Sequence, residues 1–278
     1  MTTPRLLAIG LILFVATIAW FVLGTSVTAR SGEFDARLAQ EVAQLWGGPH
    51  RQVAPAVLVE RDRQVREKVQ QQTASGETVT SEVTKTVTDR DPVPFESSTM
   101  NVDLRLAHRQ KGLLWYDTYT VSFTGRYVVR NPDASVRTMV ARVGFPSKDA
   151  LYDGFLVRFN GEEAPALSNL SDGVEVTTVL APHAEATLEI RYTSRGLDQW
   201  RYAIGEAGVS QARNLTLRMT TNFRDVDFPA GTISPTSRRD LPEGARLDWT
   251  FTSLVTGQSI GVDLPAKNVM RAARTCTR

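Results

Sequence analysis

The chain has 278 residues, 42% of them hydrophobic and 22% charged, a composition that supports a buried core and argues against disorder as the main state. Lysine and arginine number 32 against 30 acidic residues, a net charge of +2, so we expect no nucleic-acid partner, which would need a clear basic excess. The one cysteine, Cys276, excludes an intramolecular disulfide, and three histidines supply few metal ligands, so we expect no metal and no cofactor.

The amino-terminal segment is long and apolar enough to cross a membrane. Residues 6–29 contain no charged side chain, and about 20 apolar residues in a helix span the ~30 Å hydrocarbon core of a bilayer. We therefore predict a cytoplasmic tip and a transmembrane helix over residues 1–30, with the lipid bilayer as the partner of residues 6–29. Because a short amino-terminal tail usually stays inside, we expect a single pass through the cell inner membrane and a periplasmic location for the bulk of the chain.

A cleaved secretory signal is the alternative interpretation of the same segment. Val27-Thr28-Ala29 resembles a small-x-small cleavage site. The apolar core of a signal peptide has only ~7–15 residues, which this run exceeds, so a retained anchor is favoured. The two alternatives differ in whether the mature chain keeps its apolar segment or begins near Arg30.

A second helical pattern follows the apolar run. Its apolar residues recur on one helical face, at Phe34, Leu38, Val42, Leu45 and Trp46. Gly47-Gly48-Pro49 then ends the helix. We predict an amphipathic juxtamembrane helix over residues 31–48, whose apolar face packs on the following domain, lies on the bilayer surface or pairs with a partner helix.

From Val53 onward the hydrophobic period becomes two, which is typical of strands with one buried face. Asn160-Gly161 between two such strands predicts a tight hairpin. Residues 61–72 are predicted as an exposed short helix or a loop, and residues 89–94 as a loop because two prolines disfavour regular pairing. The clearest alternating sets are Met100, Val102, Leu104 and Leu106; Tyr119, Val121 and Phe123; Leu188, Ile190 and Tyr192; Leu215, Leu217 and Met219; and Leu247, Trp249 and Phe251.

These elements predict the fold class. It is mainly β: an antiparallel β-sandwich-like periplasmic domain preceded by an N-terminal transmembrane helix and a short amphipathic helix. Consecutive strands joined by tight turns favour antiparallel pairing. We expect the all-β extracytoplasmic domain to cover residues 49–267, as one unit or as two packed sheets, and residues 268–278 to form an irregular basic tail.

The sequence carries no common catalytic motif. G-x-S-x-G, H-E-x-x-H, C-x-x-C and the phosphate-binding loop are all missing from it, so we expect no catalytic residue. The best carboxylate pair is Asp225 and Asp227, which would share one face of a strand. A periplasmic hydrolase or carbohydrate-processing enzyme that uses this pair is therefore the alternative, although a solvent-facing strand explains both side chains without any function.

Four aromatic residues are candidates for an exposed interaction patch: Trp115, Tyr116, Trp200 and Tyr202. Trp115 and Tyr116 precede the alternating strand that begins at Tyr119. Exposed aromatic rings contact protein partners, and they also stack on sugars or insert among lipids. A sugar- or lipid-binding module is therefore a further alternative.

Several short motifs together resemble the periplasmic part of the CreD-like inner-membrane proteins. They are the apolar helix 6–29, the short helix 34–46, Gly47-Gly48-Pro49, the apolar strand 53–59, and the stretches Arg109-Gln110-Lys111-Gly112-Leu113, Tyr119-Thr120-Val121 and Gly125-Arg126-Tyr127. The resemblance covers residues 6–130. It implies several carboxyl-terminal membrane helices, which this sequence does not contain, so the chain is expected to be either a single-pass relative or a truncated one.

The resemblance implies a role in envelope homeostasis or stress tolerance, with no established reaction. It supplies no catalytic residue. Combined with the composition and the motifs, it predicts a membrane-anchored envelope protein whose periplasmic β domain is non-catalytic and acts by binding an envelope protein partner.

Overall fold

The computed structural model describes residues 3–72, 78–111, 114–165, 173–205 and 210–265. It divides into two units, Met1–Leu45 and Trp46–Arg278. The first unit is helical and the second is built from strands. This confirms the mainly β fold class with a preceding amino-terminal apolar helix. The predicted basic tail, residues 268–278, and Cys276 lie outside the described residues.

The helix α1 (Thr3–Trp46) is continuous. The juxtamembrane helix predicted over residues 31–48 is therefore the last part of α1 rather than a separate element, and most side chains of its predicted apolar face fall outside the described part. Gly47 has a φ of +85°, a left-handed conformation that favours glycine and ends a helix. The predicted stop at Gly47-Gly48-Pro49 is confirmed.

The second unit contains fifteen strands among the residues that the structure describes. They are β1 (His50–Val53), β2 (Ala56–Gln72), β3 (Thr78–Val93), β4 (Phe95–Lys111), β5 (Leu114–Arg130), β6 (Arg137–Val143), β7 (Tyr152–Phe159), β8 (Glu162–Glu163), β9 (Val174–Leu180), β10 (Glu185–Leu197), β11 (Gln199–Ala203), β12 (Ser210–Thr221), β13 (Ser237–Leu241), β14 (Gly244–Thr256) and β15 (Ile260–Asp263).

The strands form three sheets, with the orders β1-β11-β15, β13-β14-β12-β4-β5-β10-β7-β8 and β3-β2-β6-β9. Most neighbours are antiparallel, as the tight turns predict. Two pairs run parallel, β1 with β11 and β12 with β4. Sequence alternation does not reveal these pairs because parallel neighbours are joined by long crossover connections, here through other strands.

One hydrophobic core receives side chains from all three sheets, which is the sandwich-like packing that the alternation predicts. Strand β9 shows the principle, because its residues are alternately buried and exposed along its whole length. Phe123 on β5, Met139 on β6 and Trp249 on β14 are fully buried and come from two different sheets.

The structure confirms the predicted hairpin and contradicts the two predicted irregular segments. Asn160 and Gly161 join β7 to β8 with φ values of +51° and +92°, the left-handed pair typical of a tight hairpin, so that prediction is confirmed. The helix or loop predicted for residues 61–72 is wrong, because they belong to β2 and pair with β3. The loop predicted for residues 89–94 is also wrong up to Val93. Pro92 is accommodated because β3 is an edge strand, where a missing N–H costs no ladder bond.

Candidate functional site

The apolar part of α1, Ile9–Arg30, has exposed side chains along its length. Trp20 and Phe21 are each 73% exposed, so no described part of the chain covers them. The threonine hydroxyls within this segment are bonded inside the helix: Thr17 donates to the carbonyl of Leu13 at 2.8 Å, and Thr28 to that of Gly24 at 2.8 Å. Polar groups satisfied within the helix and apolar groups facing outward are what a lipid environment requires.

Strands β2 and β3 form a long two-stranded ribbon. β2 pairs with β6 only from Ala56 to Val59, whereas its pairing with β3 continues to Gln72. The ribbon, which we define as residues 60–72 and 78–90, therefore extends beyond the four-stranded sheet. At ~3.4 Å per residue its length is roughly 40 Å. Gln64 and Thr86, which face each other across it, are both exposed.

Ion pairs connect the base of the ribbon, at Glu60, Arg61 and Arg90, to the rest of the domain and across its two strands. Arg61 donates from Nε and Nη2 to the two carboxylate oxygens of Asp133, at 2.9 and 2.7 Å. Arg137 donates to the same carboxylate at 2.6 Å. These hydrogen bonds from Arg61 and Arg137 hold the pKa of Asp133 well below its usual range. Glu60 and Arg90 pair across the two strands at 2.9 Å.

The most unusual buried polar group of the domain is the His50 cluster, which comprises His50, Tyr119 and Ser194. His50 is 1% exposed and Ser194 is 2% exposed. His50 Nδ1 lies 2.8 Å from Tyr119 Oη, and Nε2 lies 3.0 Å from Ser194 Oγ. The cluster joins β1, β5 and β10, which are distant in sequence and belong to two sheets.

The hydroxyl protons of this cluster already have backbone acceptors. Ser194 donates to the carbonyl of Leu151 at 2.8 Å, and Tyr119 to that of Gln199 at 2.8 Å. A neutral imidazole and two hydroxyls hold three protons for these two bonds and the two contacts to His50. An imidazolium would complete the network, but burial lowers the pKa of His50 to about 4.

Serine beside histidine is the pairing of a nucleophile with its base, yet this pair is not arranged for attack. The Ser194 hydroxyl is buried and donates to a backbone carbonyl, and Tyr119 occupies the histidine nitrogen that a carboxylate takes in a catalytic triad. The neighbouring polar groups also bond one another: Tyr192 donates to Gln52 Oε1 at 3.0 Å. The arrangement joins strands, and we assign it a structural role.

The predicted aromatic patch is divided by the fold. Trp115 is 39% exposed and Tyr116 is partly buried, and both lie on β5 at its hairpin end. Trp200 and Tyr202 are 0% and 1% exposed, so their prediction as an exposed surface is wrong. Both rings alternate with Arg201 on β11, the central strand of its sheet, and this alternation was a sequence signal for burial.

The carboxylate pair Asp225 and Asp227 does not lie on a regular strand. Both residues are in the connection between β12 and β13, where Asp227 makes an isolated bridge to Asp263. The Asp227 carboxylate accepts the backbone N–H of Phe228 at 2.8 Å. The premise that the two side chains share a strand face is therefore wrong, because a loop backbone does not alternate.

Within the described part of the chain, no three His, Cys, Asp or Glu side chains are grouped so that they could hold a metal ion. The His50 cluster is the group that sequence reasoning missed. His50 lies 69 residues from Tyr119 and 144 residues from Ser194. No local pattern joins positions so far apart, and the parallel pairing of β1 with β11 contributes to bringing them together.

The structure defines a β-rich domain that follows an apolar helix of membrane-spanning length. No family model and no curated protein matches the sequence. Among solved structures, one similar chain is a Legionella pneumophila protein provisionally described as a nutrient binding protein, at 15% identity and a TM-score of 0.44. The match covers 62% of this chain and 68% of that one.

Proposed function

We propose that this protein is a single-pass inner-membrane protein, anchored by residues 6–29, whose periplasmic β domain is non-catalytic and binds another protein of the cell envelope. The observation that carries the anchor is the exposed surface of α1 over residues 9–29, which carries no charge and on which Trp20 and Phe21 are each 73% exposed. An apolar helix of this length in water would expose a large hydrophobic area, whereas lipid solvates it favourably.

The ribbon supports a binding role for the domain. It extends beyond its sheet on self-paired strands, and its base is held by Arg61, Asp133 and Arg137. Edge strands present unpaired backbone groups, which a partner strand can use. A long ribbon that is held at one end is suited to reaching a partner away from the body of the domain.

A role in envelope homeostasis or stress tolerance remains part of this proposal and rests on the resemblance to CreD-like proteins. The enzyme alternative has less support, because Asp225 and Asp227 lie in a loop and the Ser194–His50 pair is buried. A protein-binding domain needs no such chemistry.

Membrane retention is the first test. We expect the full chain to stay in the carbonate-washed membrane pellet, with an intact amino-terminal segment by mass spectrometry, because residues 6–29 are solvated by lipid. The variant Ala29→Leu, which removes the small residue of the candidate cleavage site, is expected to fractionate identically. A soluble wild-type product that begins near Arg30 would show a cleaved signal and contradict the anchor.

Site-specific photo-crosslinking tests the binding role. A photoreactive residue in place of exposed Gln64 on the ribbon is expected to give a discrete adduct with an envelope protein in living cells. The same residue in place of Arg126, which is exposed on β5, is the matched control and is expected to give none. A second photoreactive position on the ribbon replaces Thr86, which is exposed opposite Gln64. Equal labelling of the ribbon and of Arg126, or no adduct from either ribbon position, would reject the ribbon as the binding element.

A further inference from the structure

The three-stranded sheet carries two arginines side by side. Arg51 on β1 and Arg201 on β11 are in register in a parallel pair. Their neighbours on each strand, His50, Gln52 and Trp200, are buried in the core. Because side chains alternate along strands, both arginines lie on the opposite face of this sheet, away from the core.

An open cleft of about 300 Å³ lies over this face. Apart from the arginines, its lining consists of small, hydroxyl-bearing and amide side chains with short aliphatic ones: Ala203, Ile204, Gly205, Ser210, Ala230, Gly231, Thr256, Gly257, Gln258 and Ser259. The side chains and glycine-rich backbone can supply N–H and O–H donors, which are the groups that bind an oxyanion.

The loops that form the walls of the cleft are held by their own hydrogen bonds. The Ser259 N–H donates to the carbonyl of Gly231 at 3.1 Å, and the Gln258 N–H donates to Thr256 Oγ1 at 2.9 Å. Gly231 has a φ of +77°, a left-handed turn that places these two segments together. These bonds hold the two wall segments at a defined separation, and the hydroxyl and amide side chains of the walls are the groups that can donate to a ligand.

Arg201 is oriented before any ligand arrives. Its Nε donates to Gln199 Oε1 at 2.6 Å, which fixes the guanidinium plane and leaves the terminal nitrogens to act as further donors. Among the described residues, Asp263 on β15 is an acid whose charge interacts with Arg201; it pairs with Gln199 and is not in the lining of the cleft. Burial raises the pKa of Asp263, against the opposing effect of Arg201.

We propose that this cleft binds a small oxyanionic group, a phosphate or a carboxylate, between Arg51 and Arg201. Two guanidinium groups on adjacent strands can donate to different oxygens of one anion, and the hydroxyl side chains of the walls can donate to its remaining oxygens. The anion belongs to a free solute or to a lipid headgroup. Phosphate and carboxylate share the chemistry that the cleft recognises.

The test is calorimetric titration of the full chain in phosphatidylcholine nanodiscs with sodium phosphate, and separately with acetate, at constant ionic strength set with chloride. Saturable binding of at least one anion is expected. Arg51→Gln and Arg201→Gln should each weaken it by roughly tenfold or more, because each removes a charge-assisted donor pair. Arg126→Gln, an exposed arginine outside the cleft, is the control and should bind as the wild type.

Arg51 is exposed, so Arg51→Gln is expected to fold, and its thermal midpoint verifies this independently of binding. Anionic phosphatidylglycerol in the nanodisc identifies the source of the anion: weaker phosphate binding indicates a headgroup in the cleft, and unchanged binding indicates a free solute. No saturable binding of either anion to the wild type, or wild-type affinity in both cleft variants, would overturn the proposal.

Discussion

Acidification from pH 7 to pH 4 is expected to destabilise the β domain by about 3 kcal/mol through His50 alone. The pKa of His50 is lowered by burial from 6.5 to about 4. In the unfolded chain the imidazole titrates near its ordinary value, so between these two pH values the unfolded state binds more protons. The stability that depends on neutral His50 is therefore fully present above the unfolded-state pKa of 6.5, and it is lost as the pH falls from there towards 4.

The hydrogen bonds of the His50 cluster do not offset the effect of burial on the pKa of His50. Tyr119 and Ser194 both contact the imidazole, but each already has a backbone carbonyl to which it donates. A charged imidazole could bond to both hydroxyl oxygens, yet the described contacts bring no carboxylate to compensate its charge. Desolvation is thus the dominant effect, because neutral hydroxyls replace only part of the lost hydration.

Urea unfolding at several pH values between 4 and 7 measures this effect. The variant His50→Gln is expected to lose most of the stability gradient in that window, whatever its absolute stability. His183→Asn is the matched control, because His183 is exposed and its positive φ of 57° is one that asparagine tolerates. It should keep the gradient of the wild type. A gradient that persists in His50→Gln would assign the pH dependence to other groups.

Carboxyl groups also contribute to the dependence of folding stability on pH. The direction of the pKa shift is resolved for Asp133 and for Asp198. Hydrogen bonds to arginines lower the pKa of Asp133, so its stabilising contribution is lost below the unfolded value near 4 as the pH falls. Burial raises the pKa of Asp198, which has the opposite sign. Comparison of His50→Gln with the wild type removes both contributions, since neither carboxyl group changes between the two proteins.

The variant Gly196→Ala is expected to cost about 3 kcal/mol of folding free energy, at the upper end for overpacking a core. Gly196 lies on β10, and a Cβ there would overlap the His50 ring and the Tyr119 hydroxyl. Neither side chain can move away easily, because both are fully buried and each is hydrogen-bonded to a further group, His50 to Ser194 and Tyr119 to the carbonyl of Gln199. Relief would require one of the cluster hydrogen bonds to break.

Thermal or chemical unfolding measures this loss. Gly144→Ala is the matched control, since the Cβ it adds meets nothing within 4 Å and the backbone there is not left-handed. Its stability is expected to stay within about 0.5 kcal/mol of the wild type, as for most surface changes. If Gly196→Ala is as stable as Gly144→Ala, the side chains of His50 and Tyr119 can shift to make room for the added Cβ, and the prediction is wrong.

The two experiments address one feature from different sides. The pH series changes the charge of His50 without changing the space around it, whereas Gly196→Ala changes the space without changing the charge. If the cluster joins the three-stranded and eight-stranded sheets, both perturbations should lower the cooperative unfolding transition of the whole domain rather than release β1 locally.

The sequence by itself determined the elements that depend on neighbouring residues. The apolar run of α1 requires only an uninterrupted stretch without charge, and Gly47 and Asn160-Gly161 require only a left-handed backbone that these residues tolerate. Alternation likewise identified most strands and their buried faces, including those of Phe123 and Trp249. Local sterics and the period of two are properties that a short window of sequence contains in full.

Only the tertiary structure decided the features that depend on distant partners. Residues 61–72 have no apolar alternation, and they form a strand because β3 pairs with them. Trp200 is buried because its face of the three-stranded sheet packs on the core, where its ring lies 6.3 Å from that of Phe123 in another sheet. The meeting of His50 with Ser194, and of Arg51 with Arg201, follows from strand order, which short-range patterns do not encode. The physical reason is that hydrogen-bonded pairing and burial are set by which strands become neighbours, and that choice minimises the free energy of the whole domain.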